Sequence, residues 1–152
     1  MSRADLAGWP LIGRAATRAG TIFVDRDDRK SGAAAIRAIR RSLRAGHSVV
    51  VFPEGTTHGG DEVRPFRAGA FVAVRDLDVE VVPVGLAYPP GAEWTSGGFS
   101  SHVEQVMRRP RTRVGLVVGA PVDARTKVAD IAGHSRDAVA GLTRRARQRA
   151  GE

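Results

Sequence analysis

The chain carries Val49-Val50-Val51-Phe52-Pro53-Glu54-Gly55-Thr56-Thr57, an apolar run that leads directly into a turn with one carboxylate and two hydroxyl groups. A β-branched run without alternating polar positions is typical of a strand that is buried on both faces. Pro53 cannot donate to a strand ladder, and Gly55 permits a close backbone approach. Open α/β sheets bind ligands where such strands end. The stretch therefore predicts that Glu54 faces a ligand, although Pro-Glu-Gly alone also fits a tight turn with a solvated acid.

Strands and helices alternate along the rest of the sequence. Continuous β-branched runs predict strands, whereas apolar residues spaced three to four apart predict helices. The predicted strands are 21–25, 48–52, 80–87 and 113–119, and the predicted helices are 33–45, 66–75, 101–109 and 128–149. Ser31 is the predicted N-cap of the helix at 33–45 and Gly46 its stop. This alternation predicts an α/β fold with an open, mostly parallel sheet flanked by helices, in a single domain that covers residues 1–152.

Composition limits the class of protein. Of the 152 residues, 42% are hydrophobic and only 5% aromatic, which fits a globular domain with an aliphatic core. The absence of cysteine excludes disulfides, thiolate metal sites and a cysteine nucleophile. No apolar run approaches the roughly 20 residues needed to cross a bilayer, and the first residues lack the apolar core of a signal peptide. Any membrane contact is expected to be peripheral, or to be made by sequence outside these residues.

The surface is strongly basic. The formal net charge is +8, and all but two of the 24 basic residues are arginine. Such a surface attracts phosphate groups, whether they belong to nucleic acid, to phospholipids or to a nucleotide-containing cofactor. Binding of nucleic acid is the weaker interpretation, because the five phenylalanines mostly lie in apolar contexts and not between basic residues, where they could stack on bases.

Four stretches of the sequence together resemble three motifs of the glycerolipid acyltransferases, the family typified by bacterial 1-acylglycerol-3-phosphate acyltransferase. Gly20-Thr21-Ile22-Phe23-Val24-Asp25-Arg26 resembles the second motif of that family. Phe52-Pro53-Glu54-Gly55-Thr56-Thr57, followed by Pro65-Phe66-Arg67-Ala68-Gly69-Ala70-Phe71, resembles the third, and Val81-Val82-Pro83-Val84 the fourth. Their order and spacing extend the resemblance over nearly the whole chain and imply a glycerol-3-phosphate acyltransferase-like α/β fold.

The resemblance implies transfer of a fatty acyl group from acyl-CoA or acyl carrier protein to the free hydroxyl of a lysophospholipid such as 1-acylglycerol-3-phosphate, in phospholipid biosynthesis. These donors are substrates, so neither a bound cofactor nor a metal is expected. The implied substrate-binding residues are Arg26 and Arg67 for the acceptor phosphate, Glu54 and Gly55 for the glycerol part, and Thr56 and Thr57 as hydroxyl donors. Phe52, Pro53 and Pro83 are expected to shape the cleft.

The catalytic pair of the family is absent from the 152 residues. Its first motif is a histidine followed five residues later by an aspartate, which orients the imidazole that takes the acceptor's proton. In this chain His47, His58, His102 and His134 are followed at that distance by Phe52, Val63, Met107 and Val139. The resemblance implies that the pair precedes Met1 in a longer protein and that the chain as it stands is inactive. His58, followed by Gly59 and Gly60, is interpreted as a solvent-exposed loop histidine and not as a substitute base.

Two other functions remain open from the sequence. A protein that keeps the cleft without the base would bind lysophospholipid or coenzyme A without catalysis. The arginine-rich end, Arg144-Arg145-Ala146-Arg147-Gln148-Arg149, would also fit a basic nucleic-acid-binding module with salt-dependent DNA binding. The acyltransferase interpretation instead predicts a lysophospholipid acceptor, an acyl donor and a membrane surface as partners, no nucleic acid, and peripheral attachment to the cytoplasmic face of the membrane.

Overall fold

The computed structural model describes residues 2–3, 12–24, 28–56, 60, 62–89, 108 and 110–151. The chain forms two compact units. The first consists of the residues up to Pro53 together with Ala68–Val79, and the second consists of Glu54–Arg67 together with the residues from Glu80 onward. Glu54 and Arg67, both implied in acceptor binding, therefore belong to the same unit.

The first unit contains strand β1 (Ser2–Arg3), helix α1 (Ile12–Arg18), strand β2 (Phe23–Val24), helix α2 (Arg29–Arg44) and a 3₁₀ helix (Ala68–Val74). Strands β1 and β2 are parallel, with Ser2 opposite Phe23 and Arg3 opposite Val24. Val24 is buried. The strand predicted at 21–25 is thus confirmed only at Phe23–Val24, because residues 21–22 lie in no strand and residue 25 is outside the described residues. The helix predicted at 66–75 forms as the shorter 3₁₀ helix.

Helix α2 begins about one turn earlier than the sequence predicts, because Asp28 and not Ser31 is its N-cap. The Asp28 carboxylate accepts hydrogen bonds from the backbone N–H groups of Lys30 at 2.8 Å and Ser31 at 3.2 Å. An aspartate at this position satisfies amides that the first turn leaves without partners, so Arg29 and Lys30 also belong to the helix. The predicted stop is confirmed, since the helix ends at Arg44 and Gly46 has a φ of +80°.

Replacing Asp28 by alanine is expected to lower the free energy of unfolding by about 1 kcal/mol, because two amide groups of the first turn lose their acceptor. Asp28→Asn keeps an oxygen acceptor at the cap and is expected to stay close to the wild type. Urea unfolding followed by circular dichroism measures both differences. Equal stability of the alanine variant and the wild type would contradict the assignment of the cap.

Arg40 of α2 holds the end of the 3₁₀ helix. Its Nη1 donates to the backbone carbonyl of Arg75 at 2.6 Å and to that of Ala73 at 3.3 Å. These carbonyls lie where the helix ends and no further turn supplies N–H partners. Helix α2 packs against the 3₁₀ helix, and each contributes a buried residue, Ile39 and Phe71 respectively. Arg40 therefore fixes the 3₁₀ helix against α2.

Residues 47–52 form no strand, contrary to the strand predicted at 48–52. Val50 is 71% exposed and Phe52 60% exposed. A β-branched run becomes a strand only where neighbouring strands supply hydrogen-bond partners and other elements cover its faces. Among the residues described, no strand pairs with this run. Residues 47–52 therefore continue to the turn at Glu54 without joining a β-sheet.

The second unit contains strand β3 (Val84–Ala87), strand β4 (Gly115–Val118) and helix α3 (Val128–Gly151). The strands are antiparallel, with Val84 opposite Val118 and Ala87 opposite Gly115, and a separate bridge joins Val81 to Val122. The strands predicted at 80–87 and 113–119 are thus confirmed in shortened form, and the last predicted helix is confirmed with a slightly later end. The helix predicted at 101–109 lies, apart from residue 108, outside the described residues.

Helix α3 lies directly on the backbones of β3 and β4, because glycine occupies the points of contact. A Cβ atom on Gly85 would overlap the backbone of Leu142, and one on Gly115 would overlap the carbonyl of Ala146. The core of the unit consists of Ala87, Val117, Leu142 and Ala146, all of them buried. Small side chains therefore set the distance between the helix and the strands.

The strands in the described part of the chain do not confirm the single open, mostly parallel sheet that the sequence predicts. The described residues form one parallel pair, β1 with β2, and one antiparallel pair, β3 with β4. The antiparallel register places Gly85, Ala87 and Gly115 next to one another under α3, which lets the helix approach the strands. On the opposite face of that pair Leu116 is 52% and Val118 58% exposed.

Among the helices described, none is long and apolar enough to span a membrane.

Candidate functional site

Gly55 and Arg67, two of the predicted site residues, are in direct contact in the second unit. Gly55 has a φ of +71°, and a Cβ atom at this position would lie 2.7 Å from Nε and 3.1 Å from Cδ of Arg67. Glycine adopts this left-handed backbone without strain and leaves room for so close a neighbour. The two halves of the third motif therefore meet, with the Arg67 side chain lying against the backbone of Gly55.

Glu54 directs its carboxylate toward the loop that carries Arg67. Its Oε2 accepts a hydrogen bond of 3.1 Å from the backbone N–H of Arg64. Glu54 is partly buried, whereas Arg64 and Arg67 are exposed. A peptide group of the loop at 62–67 therefore fixes the orientation of this carboxylate.

The same loop is held by Arg136 of α3. The Nε and Nη2 atoms of Arg136 donate to the carbonyl of Val63 at 3.2 Å and 3.0 Å. The Val63 side chain is buried. Arg136 also forms an ion pair of 3.0 Å with its neighbour Asp137. Because residues 62–67 belong to no helix or strand, such contacts determine the position of the loop.

The arrangement suits a ligand that carries both an anionic group and hydroxyl groups. A guanidinium group donates several hydrogen bonds in one plane and binds a phosphate or carboxylate through two of them. Arg67 presents this group at the surface, and the exposed Thr56 adds a hydroxyl on the same turn. The Glu54 carboxylate accepts hydrogen bonds from hydroxyl groups and repels other anions.

The remaining predicted site residues lie elsewhere or are not described. Arg26, Thr57, His58 and His102 lie outside the described residues. Phe52 is exposed and Pro53 partly buried at the end of the apolar run, in the first unit. Pro83 is buried in the second unit, where its carbonyl accepts a hydrogen bond of 2.9 Å from the N–H of Gly119. Shaping of the cleft by Phe52, Pro53 and Pro83 stays a prediction.

Metal ligands are not grouped in the part of the chain that the structure describes. No set of three His, Cys, Asp or Glu side chains there could hold a metal ion. Two histidines are described, His47 and His134, and both are exposed.

Three contributors to this loop escape prediction from the sequence: the amide of Arg64, the carbonyl of Val63 and the side chain of Arg136. The first two are backbone groups: every residue carries the carbonyl, and every residue except proline carries the N–H. Arg136 lies 73 residues after Val63 in the chain. In an arginine-rich helix, no local pattern distinguishes it from its neighbours. Only the three-dimensional structure brings these groups together.

The part of the chain that carries the motifs matches a known family. The family model described as Acyltransferase matches residues 1–87, which include the turn at Glu54 and the loop at 62–67 but not Arg136 of α3. The chain therefore belongs to the acyltransferase family. The resemblance of its motifs to the glycerolipid acyltransferases is confirmed by this match and by the relatives below.

Three curated proteins illustrate the similarity. The chain is 30% identical over 133 residues to the lyso-ornithine lipid O-acyltransferase of Rhodobacter capsulatus, a match that covers 80% of this chain and 48% of that protein. It is 34% identical over 142 residues to the lyso-ornithine lipid O-acyltransferase of Brucella abortus, covering 80% of this chain and 53% of that protein. It is 32% identical over 88 residues to the 1-acyl-sn-glycerol-3-phosphate acyltransferase of Neisseria gonorrhoeae, covering 58% of this chain and 34% of that protein. The chain thus spans about half, or less, of the length of these relatives. No solved structure matches it significantly.

Proposed function

We propose that the chain forms the acceptor-binding part of an enzyme that acylates a lysolipid in membrane lipid biosynthesis. In this reaction the free hydroxyl oxygen of the acceptor attacks the thioester carbonyl carbon of acyl-CoA or of an acylated acyl carrier protein. The carbon–sulfur bond breaks and an ester forms. A base takes the hydroxyl proton, and the thiolate that leaves is protonated.

The observation that carries the proposal is the contact between Gly55 and Arg67 beside Glu54. The guanidinium group offers a fork of donors to an anionic head group. The neighbouring carboxylate offers an acceptor to hydroxyl groups. One turn and one loop thus provide partners for both features of an acceptor such as 1-acylglycerol-3-phosphate. Arg26, which lies outside the described residues, stays an acceptor-binding residue implied by the family resemblance.

The proposed acceptor class is a lysolipid whose head group includes a phosphate or a carboxylate. The relatives named for lyso-ornithine lipid and for 1-acyl-sn-glycerol-3-phosphate support this class. An ornithine head group carries a carboxylate where the glycerol lipid carries a phosphate. Since an arginine fork binds either anion, Arg67 would serve in both cases, and direct comparison of the two lipids identifies the acceptor.

We further propose that the protein acts as a peripheral protein at the cytoplasmic face of the membrane. The acceptor and the acylated product both reside in a lipid bilayer. A net charge of +8 favours attachment to anionic head groups through long-range attraction.

Acceptor binding without acyl transfer is the activity that we propose for the 152 residues alone. None of their four histidines is followed five residues later by an aspartate. Without a positioned base, the hydroxyl of a bound acceptor keeps its proton and attacks the thioester slowly.

Titration of the 152-residue chain with 1-oleoylglycerol-3-phosphate below its micelle concentration tests the proposal, with a lyso-ornithine lipid titrated in parallel. We expect saturable binding, and we expect Arg67→Ala to raise the Kd about tenfold, because a charge-assisted hydrogen bond is lost. The Kd of Arg67→Lys is expected to lie between those of the wild type and Arg67→Ala, since lysine keeps the charge but not the planar fork of donors. Arg145→Ala removes the same charge from an exposed position on α3 and serves as the matched control.

Three results would contradict the proposal. The first is failure of the wild type to bind either lipid, and the second is equal affinity of the wild type and Arg67→Ala. The third is steeply salt-dependent DNA binding by a chain that does not bind lysolipid, which would favour the nucleic-acid interpretation. Release of thiol from acyl-CoA, measured in the same samples, tests separately whether the 152 residues transfer the acyl group.

A further inference from the structure

We infer that Arg136 is a positioning residue for Glu54 and that it acts through the peptide group between Val63 and Arg64. Arg136 lies on α3, outside the residues matched by the family model. The inference rests on the proposed function, because the orientation of Glu54 affects activity only if Glu54 contacts the acceptor.

The geometry joins Arg136 to Glu54 through a single planar group. The carbonyl of Val63 and the N–H of Arg64 belong to the same peptide, whose partial double bond keeps them in one plane and, in the trans form, pointing in opposite directions. Arg136 holds the carbonyl through Nε at 3.2 Å and Nη2 at 3.0 Å. Glu54 holds the N–H through Oε2 at 3.1 Å. Rotation of this plane would weaken both contacts at once, so Arg136 limits the orientations open to the carboxylate.

The positive charge of Arg136 also strengthens the bond to Glu54. A cation at a carbonyl oxygen draws electron density through the peptide and makes its N–H a better donor, which is the usual cooperativity of hydrogen bonds in a chain. Arg136 thus affects Glu54 both by fixing the peptide plane and by polarising it. A neutral side chain of similar size would do neither to the same degree.

This contact matters for the peptide between Val63 and Arg64, because no helix or strand ladder holds it. Residues 62–67 lie in no helix or strand, and the Val63 side chain is buried. A carbonyl beside a buried side chain needs a hydrogen-bond partner, and the Arg136 guanidinium supplies it. The guanidinium is itself restrained by the ion pair with Asp137. Three residues beyond Arg64, the same loop carries Arg67, which lies against Gly55.

The first measurement is the backbone amide signal of Arg64 in the ligand-free chain, followed by NMR. In Arg136→Ala we expect hydrogen exchange at this amide to become about tenfold faster, the change expected when a charge-assisted hydrogen bond near it is lost. We also expect its proton to move upfield as the bond to Glu54 weakens. Arg136→Lys should recover part of both changes, whereas Arg145→Ala, the matched control on α3, should leave the signal unchanged.

The second measurement is a double-mutant cycle on the affinity for 1-oleoylglycerol-3-phosphate. Arg136→Ala is expected to raise the Kd about fivefold in the wild-type background and to have little effect in the Glu54→Ala background, because Arg136 acts through Glu54. A merely structural role would instead lower affinity equally in both backgrounds.

Any of three outcomes would overturn the inference: an unchanged Arg64 amide in Arg136→Ala, equal effects in the two backgrounds, or full recovery of affinity in Arg136→Lys while the amide stays altered. The last would show that only the charge of Arg136 matters. Failure of the wild-type chain to bind the lipid would refute the proposed function instead. In that case the amide signal, which needs no ligand, still decides whether Arg136 holds the peptide.

Discussion

Replacing Gly55 by alanine is expected to raise the Kd for 1-oleoylglycerol-3-phosphate about a hundredfold, that is, by about 2.8 kcal/mol of binding free energy. A Cβ atom here would lie 2.7 Å from Nε of Arg67, so the guanidinium must move away from the turn. The left-handed backbone, with a φ of +71°, costs alanine a further 1–2 kcal/mol or so, which favours rearrangement of the turn that carries Glu54. Arg67 and Glu54 would therefore both be displaced. Calorimetric titration measures the change in affinity.

Gly46→Ala is the matched control for this variant. Gly46 has a φ of +80°, but nothing lies within 4 Å of a Cβ atom at that position. Both substitutions are therefore expected to lower the free energy of unfolding by a similar amount, whereas only Gly55→Ala should lose affinity. A similar loss of affinity in both variants would show that the effect is general destabilisation. In an Arg67→Ala background the effect of Gly55→Ala should shrink, because the clash is removed.

The sequence could predict that Gly55 and Arg67 belong to one site, but not how the side chains of this site are oriented. The resemblance to the glycerolipid acyltransferases implies both residues as acceptor-binding, and glycine in a turn after an apolar run implies a close approach. Both residues lie in one short segment, Glu54–Arg67, that folds within one unit. The orientation of Glu54 could not be predicted, because its partner is a backbone amide, and residue identity does not specify the direction of a peptide plane.

Helices α2 and α3 were predictable because their signals are local, whereas no helix was predicted at Ile12–Arg18. In α2 the spacing of Ile36, Ile39 and Leu43 and the stop at Gly46 lie within a few turns of each other. The N-cap was predicted wrongly because a local signal allows more than one choice. Asp28 and Ser31 are both acceptable N-cap residues, and they differ only in which backbone amides they reach in the folded chain.

Strand pairing was not predictable, because each pair joins distant segments. The run at 48–52 has strand composition but no partner among the residues described. Strands β3 and β4 pair antiparallel in a register that brings Gly85 and Gly115 under α3. That register depends on contacts with a helix that begins at residue 128, which no pattern within either strand contains.

Helix α3 connects the core of the second unit to the proposed acceptor site. Its Leu142 and Ala146 pack on the strand backbones, and its Arg136 holds the carbonyl of Val63 in the loop. A rigid helix transmits a shift at one end to the other. Displacement of α3 from the strands should therefore disturb both the core and the orientation of Glu54.

Replacing Gly115 by valine tests this connection and is expected to destabilise the second unit by about 3 kcal/mol. The new side chain would overlap the carbonyl of Ala146, which belongs to the helix backbone and cannot move without moving α3. Urea unfolding measures the loss of stability. In molecules that remain folded, the Arg64 amide signal should change in the same direction as in Arg136→Ala, because the guanidinium moves with the helix.

Gly133→Ala is the control for Gly115→Val, because it also adds a side chain at a glycine of the second unit. Its effect on the free energy of unfolding should have the opposite sign. Gly133 is exposed on α3, and nothing lies within 4 Å of a Cβ atom there. Alanine in a helix interior is favoured over glycine by up to about 1 kcal/mol, so this variant should be more stable than the wild type. If Gly115→Val were as stable as the wild type, the strands could not be in direct contact with the helix backbone. If it were unstable but left the Arg64 amide unchanged in the folded molecules, α3 would support the core without positioning Glu54.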